Sequence, residues 1–454
     1  MREEKTYQRA VELLRSRRMQ RSAKPPSSTL PIVRLPNGSP SFRGTPHLQG
    51  MKEWLEKLGH KEENLNRLNI IHVAGTKGKG STCAYIDSFL RSHGIRTGFP
   101  AKRGLYMSPY LDKHNEMIRI NSVPLSDERF TAAFFDVWDG LGLRQEDTGT
   151  PKQLQLLALM SFHVFLQEGV DVAVYETHHG GKYDVTNVIQ HPVVTVITTI
   201  GLDHQMELGG TIENIAWHKS GIFKAGAYAL SAPQVPDAAE VLKEVARGLH
   251  LQLKFVDTSL GLPGDFQHET QRINASLARD ACNAFLVQQD QGGFLTEKDI
   301  EAGIQTFRLP GRFQLVKTEK RLTWCLDGAH NPMSATVSAS WFSNIPKPKR
   351  ARSVLLFGID SDRHNPHETL KSLGEVLGNS ITCVILTSNT GIFDRERLEG
   401  YAKVWGELSS RRVIIAERDD GVEQARCEEG SYILVTGSLF LVAYVLKKLK
   451  QPHV

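Results

Sequence analysis

Short runs of apolar, β-branched residues recur along this chain, and longer segments with apolar residues at helical spacing separate them. The runs at 70–73, 171–176 and 193–200 predict buried strands of a first sheet. A second set of predicted strands lies at 323–326, 353–357, 382–386, 413–416 and 432–435. Because strands that alternate with helices pair in parallel, the pattern predicts an α/β fold with mostly parallel sheets.

Two other segments indicate how the chain is organised. Residues 7–18 have helical spacing, whereas residues 23–45 are rich in Pro, Ser and Gly and predict an irregular, exposed segment that wraps the first domain. A Pro-Gly break at Pro310 and Gly311 marks the best candidate for a domain boundary. Since 454 residues exceed what one core usually supports, we predict two domains, 1–309 and 310–454.

Composition narrows the class of protein. A hydrophobic content of 40% with 23% charged residues is globular, and a net charge of +5 favours an anionic small molecule over nucleic acid as partner. Five cysteines without a C-x-x-C pair indicate a reducing compartment. The longest apolar stretch, 432–446, is too short to span a bilayer, and acidic residues near the N-terminus argue against a transit peptide. We expect a cytoplasmic monomer with no nucleic-acid or membrane partner.

The segment NIIHVAGTKGKGSTCAYIDSFLRSHG, residues 69–94, reads as strand, glycine-rich turn and helix. Its glycines let backbone N–H groups and the positive helix end approach a phosphate. Lys79 adds a point charge and Ser81 a hydroxyl for a magnesium ion. Because Gly80 separates these two residues, the loop is a variant of the common phosphate-binding pattern. An ordinary surface turn is the alternative, but two lysines among three glycines favour a nucleotide triphosphate site.

Further polar residues follow the predicted strands. Glu176 ends the strand at 171–176, and Asp203 and His204 follow the strand at 193–200. Because the carboxyl ends of parallel strands meet at one edge of a sheet, we expect these side chains to lie near the glycine-rich loop. A helix cap or ion pair is the alternative for Glu176, and a loop contact for His204. Together, beside a phosphate loop, they favour metal binding.

Lys219 stands on the apolar face of a predicted helix that begins near Thr211, in register with Ile212 and Ile215. A lysine in that position must be neutralised, paired or extended towards solvent. One interpretation is a stem packed on the core with its ammonium at the negative helix end. The other is a modified or metal-adjacent lysine in the active crevice.

Eight ordered motifs together resemble the folylpolyglutamate synthases, a family of the Mur ligase superfamily, over nearly the whole chain. They are HVAGTKGKGST, MSPYL, GGKYDVTNVI, TTIGLDH, LGGTIENIAWHKSGIFK, LPGRF, LDGAHNP and VTGSLFLV. The segment IAWHKSGIFK is particularly similar to the eukaryotic members. The resemblance implies a two-domain Mur-ligase-like fold, with a P-loop mononucleotide-binding domain and a smaller Rossmann-like C-terminal α/β domain.

The resemblance also implies an activity. ATP with Mg²⁺ phosphorylates a substrate carboxylate, and the amine of an incoming amino acid then displaces phosphate to form an amide. The expected acid is a folate or an analogue, and the expected amino acid is L-glutamate. A carboxylate is inert to amines because its leaving group is poor, and an acyl phosphate removes that obstacle.

Residue roles follow from the same resemblance. The triphosphate is bound by Gly75, Thr76, Lys77, Gly78, Lys79, Gly80 and Ser81. Magnesium is held by Ser108, Glu176 and His204, although imidazole is a less usual ligand for this ion than oxygen.

Other implied roles extend into the second domain. Asn274 lies near the nucleotide base, Arg312 and Asp327 contact the nucleotide, and His330 lies near the entering amino acid. Lys219 matches a family lysine that can be carbamylated. The implied catalytic residues are Lys79, Glu176, His204, Lys219 and His330.

The departures from the family pattern cluster on the acceptor side. Thr177, His178 and His179 replace small or apolar residues of Glu-Val-Gly-x-Gly-Gly, and Tyr110 replaces a histidine. Asn115 and Met117 replace two arginines that are usual in the family, and the segment before them supplies Lys102 and Arg103. Loss of two arginines weakens capture of an anionic acceptor. A repurposed ligase for another acid, with His178 or His179 as general base, is therefore an alternative to folate ligation.

Two hypotheses lie outside the ligase class. A P-loop ATPase or kinase needs only the features of the first domain, and the DGAHN and PGR motifs count against it. A catalytically silent binding protein predicts loss of Lys79, Glu176 or His204, yet all three are present.

Overall fold

The computed structural model describes residues 4–18, 33–34, 40–41, 48–146, 151–258, 269–289, 293–319, 321–360 and 365–450. The chain divides into two compact units, Met1–Arg308 and Leu309–Val454. Most of the exposed segment predicted at 23–45 lies outside the described residues. None of the helices within the described ranges has the length and apolar composition needed to cross a bilayer.

The strands of the first unit form a large mixed sheet and a two-stranded ribbon. In the described residues they are β1 (Val33–Arg34), β2 (Pro40–Ser41), β3 (Ile71–Ala74), β4 (Arg103–Tyr106), β5 (Ile118–Ile120), β6 (Val123–Pro124), β7 (Val172–Glu176), β8 (Val194–Ile197), β9 (Tyr228–Ser231) and β10 (Leu253–Phe255). The sheet order is β10-β9-β8-β3-β7-β4-β5-β6. The first six strands in this order pair in parallel, and β5 and β6 pair antiparallel at one edge.

The helices of the first unit cover this sheet. The described ones are α1 (Tyr7–Ser16), α2 (Met51–Lys57), α3 (Glu62–Asn66), α4 (Lys79–Thr97), α5 (Asp127–Gly140), α6 (Gln153–Glu168), α7 (Gln205–Leu208), α8 (Ile212–Ser220), α9 (Pro236–Gly248), α10 (Glu269–Gln288) and α11 (Glu297–Thr306). One apolar core packs around α1, α2, α5 and α6, and another joins α8 and α9 to β8 and β9.

Burial explains the central strands. Every residue of β3, β7 and β8 is buried, as expected for parallel strands covered on both faces. The predicted mostly parallel sheet is confirmed. The 19-residue helix α4 is buried on several sides because α10 and α11 pack against it, and its first residue directly follows the glycine-rich loop. The loop therefore joins a buried strand to a buried helix, which fixes both of its ends.

The second unit is a smaller α/β layer structure. Its described strands are β11 (Gln314–Lys317), β12 (Thr323–Leu326), β13 (Arg352–Phe357), β14 (Cys383–Leu386), β15 (Arg412–Ile415) and β16 (Ser431–Thr436). They lie in the order β11-β12-β16-β13-β14-β15, and β11 is the antiparallel member. The described helices are α12 (Pro332–Asn344), α13 (Pro366–Leu377), α14 (Arg395–Leu408), α15 (Arg418–Arg426) and α16 (Leu439–Lys450). All five strands predicted here are present.

Candidate active site

Two glycines give the loop after β3 its close packing. Gly75 has φ +148°, and a Cβ there would lie 1.8 Å from Oγ1 of Thr198. Gly78 has φ +89°, and a Cβ there would lie 2.2 Å from Oδ1 of Asn274 on α10. Both positions therefore require glycine, for space as well as for backbone conformation.

Hydrogen bonds anchor the loop to the segment that follows β8. The backbone N–H groups of Thr76 and Lys77 both donate to the carbonyl of Thr199, at 2.9 and 3.1 Å. The hydroxyl of Thr76 donates to the carbonyl of Gly201 and accepts from its N–H, both at 3.1 Å. The loop is thus held in one conformation, with the N-terminus of the long helix α4 at its end.

The loop concentrates positive charge. Lys77 forms an ion pair with Asp203 at 3.0 Å, while Lys79 forms no ion pair within the described part of the chain. The ammonium of Lys219 is buried and donates to the carbonyl of Gly75 at 2.6 Å. Burial, and then repulsion from Lys79, lowers the pKa of Lys219 well below its usual value. Lys219 therefore reaches the loop, and not the end of its own helix.

Glu176 lies directly across from the loop. Glu176 is only 4% exposed, and its Oε2 accepts the backbone N–H of Ser108 at 2.9 Å. A Cβ at Gly80 would stand 3.4 Å from the same oxygen. The structure thus places Glu176 and the backbone of Ser108 together beside the first turn of α4, where Ser81 is also buried.

His204 stands at the start of α7 with a left-handed backbone, φ +50°. Burial lowers its pKa to about 4, so the imidazole is neutral near pH 7 and keeps a free electron pair. No cluster of three His, Cys, Asp or Glu side chains able to hold a metal occurs in the described residues. The predicted magnesium ligands are Ser108, Glu176 and His204. Only Glu176 and His204 are of those four residue types, so this set is too small to count as such a cluster.

The turn at residues 177–184 carries the predicted acceptor residues Thr177, His178 and His179 and is named the acceptor turn for that prediction. The carboxylate of Asp184 organises it. It accepts the backbone N–H groups of His178 and His179 at 2.9 and 2.8 Å, and both the N–H and the hydroxyl of Thr186. Burial raises the pKa of Asp184, but the ring of His178 and these hydrogen bonds outweigh it and hold the pKa below its usual value. Asp184 therefore fixes the backbone positions of His178 and His179.

The two histidines of the turn point to different environments. His178 is buried, with its Nε2 2.9 Å from the hydroxyl of Tyr106 and its Nδ1 3.8 Å from Asp184. His179 is exposed, and its ring lies 4.6 Å from that of His204. Thr177 is fully buried and its hydroxyl has no hydrogen-bond partner within the described residues. Of these three residues, His179 is the one exposed to solvent.

Other predicted residues of the acceptor side have structural contacts. Tyr110 is half-buried, and its ring lies 4.2 Å from that of His114. Arg103 is buried in an ion pair with Asp87 at 3.2 Å. Asn115 is buried and donates to the carbonyl of Leu125. Arg103 is the first residue of β4. Because its guanidinium is buried in the ion pair with Asp87, it is not available to bind an acceptor.

Asn274 lies against the loop from α10. Its Oδ1 accepts the hydroxyl of Thr82 at 3.4 Å and is the atom that a Cβ on Gly78 would strike. The structure therefore brings Asn274 to the glycine-rich loop, although it stands almost 200 positions later in the chain.

In the second unit, Asp327 follows β12 and is buried. Its two oxygens accept the backbone N–H groups of Phe313 and Ala329, both at 3.2 Å. Burial raises the pKa of Asp327, although Arg312 opposes that change. His330 lies three residues further on, with Nδ1 2.9 Å from the carbonyl of Gly328. The predicted residues of this unit are therefore neighbours.

Sequence reasoning missed two polar residues that support the acceptor turn, His72 and Tyr106. His72 lies inside β3, and its Nε2 is 2.8 Å from the hydroxyl of Thr186. Burial lowers the pKa of His72 to about 3, against the opposing field of Asp184. Tyr106 ends β4 below His178. The available signal was a histidine within an otherwise apolar strand.

Comparison with known proteins places these features in a family context. The model of the Mur ligase middle domain matches residues 73–232, and that of the Mur ligase glutamate ligase domain matches residues 311–439. The folylpolyglutamate synthase of Neurospora crassa is 36% identical over 445 residues, covering 87% of this chain and 84% of the relative. The probable folylpolyglutamate synthase of Schizosaccharomyces pombe is 36% identical over 492 residues, covering 98% and 95%.

A solved structure has the same fold. The folylpolyglutamate synthase of Mycobacterium tuberculosis, complexed with ADP and AMPPCP, superposes with a TM-score of 0.75 at 24% identity. The match covers 90% of this chain and 96% of that one.

Proposed function

This chain belongs to the folylpolyglutamate synthase family of the Mur ligases, and from that premise we propose that it joins L-glutamate to a folate in an ATP-dependent reaction. The observation that carries the proposal is the loop from Gly75 to Ser81. Here glycine packing, a helix N-terminus and Lys79, which has no ion pair among the described residues, lie beside the buried Glu176. The M. tuberculosis relative was crystallised with ADP and AMPPCP, which supports ATP as the nucleotide.

The first chemical step activates the acid. An oxygen of the folate carboxylate attacks the γ-phosphorus of ATP, and the bond between this phosphorus and the β,γ-bridging oxygen breaks. ADP departs as the leaving group, and the folate carboxylate becomes an acyl phosphate. The backbone N–H groups of the loop and the ammonium of Lys79 stabilise the charge that develops on the phosphoryl oxygens. Lys77 and Lys219 hold the loop in place through Asp203 and Gly75.

The residues present would fit a magnesium ion, which prefers oxygen ligands. Glu176 offers a buried carboxylate, Ser108 a hydroxyl, and His204 an uncharged imidazole. When bound, magnesium withdraws charge from the phosphate oxygens. We propose these three residues as its protein ligands.

The second step forms the amide. The amine nitrogen of L-glutamate attacks the acyl carbon, and the tetrahedral intermediate expels inorganic phosphate while the nitrogen loses a proton. We assign Arg312, Asp327 and Asn274 to the nucleotide, and His330 to the entering amino acid. In this proposal, residues 1–309 form the ATP-binding ligase domain and residues 310–454 form the C-terminal ligase domain. The protein is proposed to be a cytoplasmic monomer. Light scattering tests the monomeric state, for which the expected mass is 50.7 kDa.

The experiment measures ADP formation and amide product with tetrahydrofolate, L-glutamate, ATP and Mg²⁺. We expect turnover that requires all four, and a loss of at least about 100-fold in Lys79→Ala, because a charge aimed at the transferring phosphoryl group is removed. Lys243→Ala, on the exposed side of α9, is the matched control. Full activity of Lys79→Ala refutes the proposal.

One observation favours a second candidate, a ligase that joins a different carboxylic acid to an amino acid. The buried His178 fills the interior of the acceptor turn, at the position where the family pattern has glycine. The same ADP assay with a panel of acids and amines separates the two. Strong turnover with tetrahydrofolate and glutamate eliminates the second candidate, whereas ADP formation with no amide product indicates an ATPase.

A further inference from the structure

A cavity of about 640 Å³ lies on the first unit at some remove from the glycine-rich loop. Gln190 and His191, which precede β8, and Lys224, which precedes β9, line it. These residues mark the amino ends of parallel strands, whereas the loop follows the carboxyl end of β3, which is parallel to β8. Lys182, from the acceptor turn, also lines the cavity. The residues at the amino ends of β8 and β9 nevertheless separate the cavity from the glycine-rich loop.

The walls of the cavity combine positive charge with apolar surface. Lys52, Lys182 and Lys224 contribute the ammonium groups, and Phe223, Val245 and Leu249 contribute apolar contacts. Lys224 is half-buried, and burial followed by the charge of Lys182 lowers its pKa to about 8. The two ammonium groups are thus close enough to repel one another.

Little negative charge balances these lysines. Within the described residues, Lys182 and Lys224 form no ion pair with a carboxylate. Glu62, the acidic residue of the cavity wall, lies 3.0 Å from His191 and 3.8 Å from Lys52, so its charge is already shared. An unbalanced pair of ammonium groups in a concave, partly apolar site is stabilised by an anion.

We infer that this cavity binds a small organic phosphate as a second anion site, independent of the nucleotide. Lysine ammonium groups act as point charges, and two of them face the cavity from Lys182 and Lys224. A phosphate monoester carries about −1.5 to −2 charges near pH 7 and so matches this pair, whereas a single carboxylate carries one negative charge. The apolar wall of Phe223, Val245 and Leu249 packs against the organic part of the ligand. The inference does not depend on the reaction proposed above.

The test is calorimetric titration of the full chain with phenyl phosphate, in the presence of saturating AMPPCP to fill the nucleotide loop. We expect binding to persist under AMPPCP and to weaken at least about tenfold in the double variant Lys182→Gln/Lys224→Gln, because two charged contacts are lost. The control Lys243→Gln/Lys298→Gln removes the same charge from exposed positions on α9 and α11 and should bind as the wild type does.

Three results overturn the inference. They are displacement of phenyl phosphate by AMPPCP, equal weakening in the control variant, and tighter binding of glutarate than of phenyl phosphate. Circular dichroism of the double variant checks that it is folded, and Lys224→Arg provides a variant that keeps the charge and should retain binding. Failure of ligase turnover leaves this measurement unaffected, so the two proposals fail separately.

Discussion

The ammonium nitrogen of Lys219 lies 2.6 Å from the carbonyl oxygen of Gly75, so a side chain of helix α8 anchors the glycine-rich loop. We expect Lys219→Met to weaken AMPPCP binding about tenfold, since the loop loses an anchoring hydrogen bond to the carbonyl of Gly75. Calorimetry measures the affinity, with Lys243→Met as control. An unchanged affinity would show that the contact is dispensable for nucleotide binding.

Gly78 and Gly226 offer a matched pair for testing the crowding of the loop. Both have positive φ, +89° and +84°, but a Cβ at Gly78 strikes Asn274 whereas nothing lies within 4 Å at Gly226. Each change to alanine should cost about 1–2 kcal/mol in backbone strain. We expect Gly78→Ala to abolish AMPPCP binding in addition, and Gly226→Ala to retain it. Equal nucleotide affinities would contradict the packing described here.

His178 and His179 separate burial from exposure at adjacent positions. Removing the ring of His178 leaves the buried hydroxyl of Tyr106 without its partner, so His178→Gly should destabilise the first unit by about 1–3 kcal/mol, plus a cavity term. His179→Gly should change stability by less than about 0.5 kcal/mol. Urea denaturation of both variants measures the difference. A larger effect at His179 would reverse our assignment of the buried ring.

Protonation of His72 should make stability depend on pH. Its folded pKa, about 3, lies below the ordinary value of 6.5, so the unfolded chain binds the proton first as pH falls. The stabilisation is complete above pH 6.5 and is lost between pH 6.5 and 3, at a slope of up to about 1.4 kcal/mol per pH unit. In His72→Gln, the midpoint of urea denaturation should depend less on pH over that range. In His250→Asn, at an exposed position, the pH dependence should stay as in the wild type. Parallel curves for wild type and His72→Gln would disprove the assignment.

Glu176→Gln isolates charge from hydrogen bonding. The amide oxygen of glutamine can still accept the N–H of Ser108, but the negative charge beside the loop is gone. We expect ADP formation to fall by at least about 100-fold, with a higher magnesium requirement. Glu301→Gln, exposed on α11, is the control. Wild-type magnesium dependence in Glu176→Gln would remove this carboxylate from the proposed metal ligands.

The buried central strands could be predicted because parallel strands covered on both faces read as apolar runs, as β3, β7 and β8 do. The edge strands β5 and β6 could not. They are two or three residues long, and β6 is exposed, so no periodic pattern marks them. The glycine-rich loop is readable because its chemistry is contiguous in the chain.

Contacts between distant residues explain what the sequence left open. The side chain of Lys219 was predicted to face the core, but its partner, the carbonyl of Gly75, carries no side-chain signal. Likewise, the ion pair of Arg103 with Asp87 depends on how β4 packs against α4. The position of Asn274 beside Gly78 followed from family resemblance and not from any local pattern.

Gly181 makes one further property of the acceptor turn intelligible. A Cβ there would lie 2.7 Å from the carbonyl oxygens of both His218 and Lys219, so any larger residue would push α8 away. Three positions upstream, the buried His178 shows that the same turn accepts a bulky ring. The turn therefore tolerates variation in side-chain size at position 178 but not at position 181, where its backbone fixes the distance to the helix that carries Lys219.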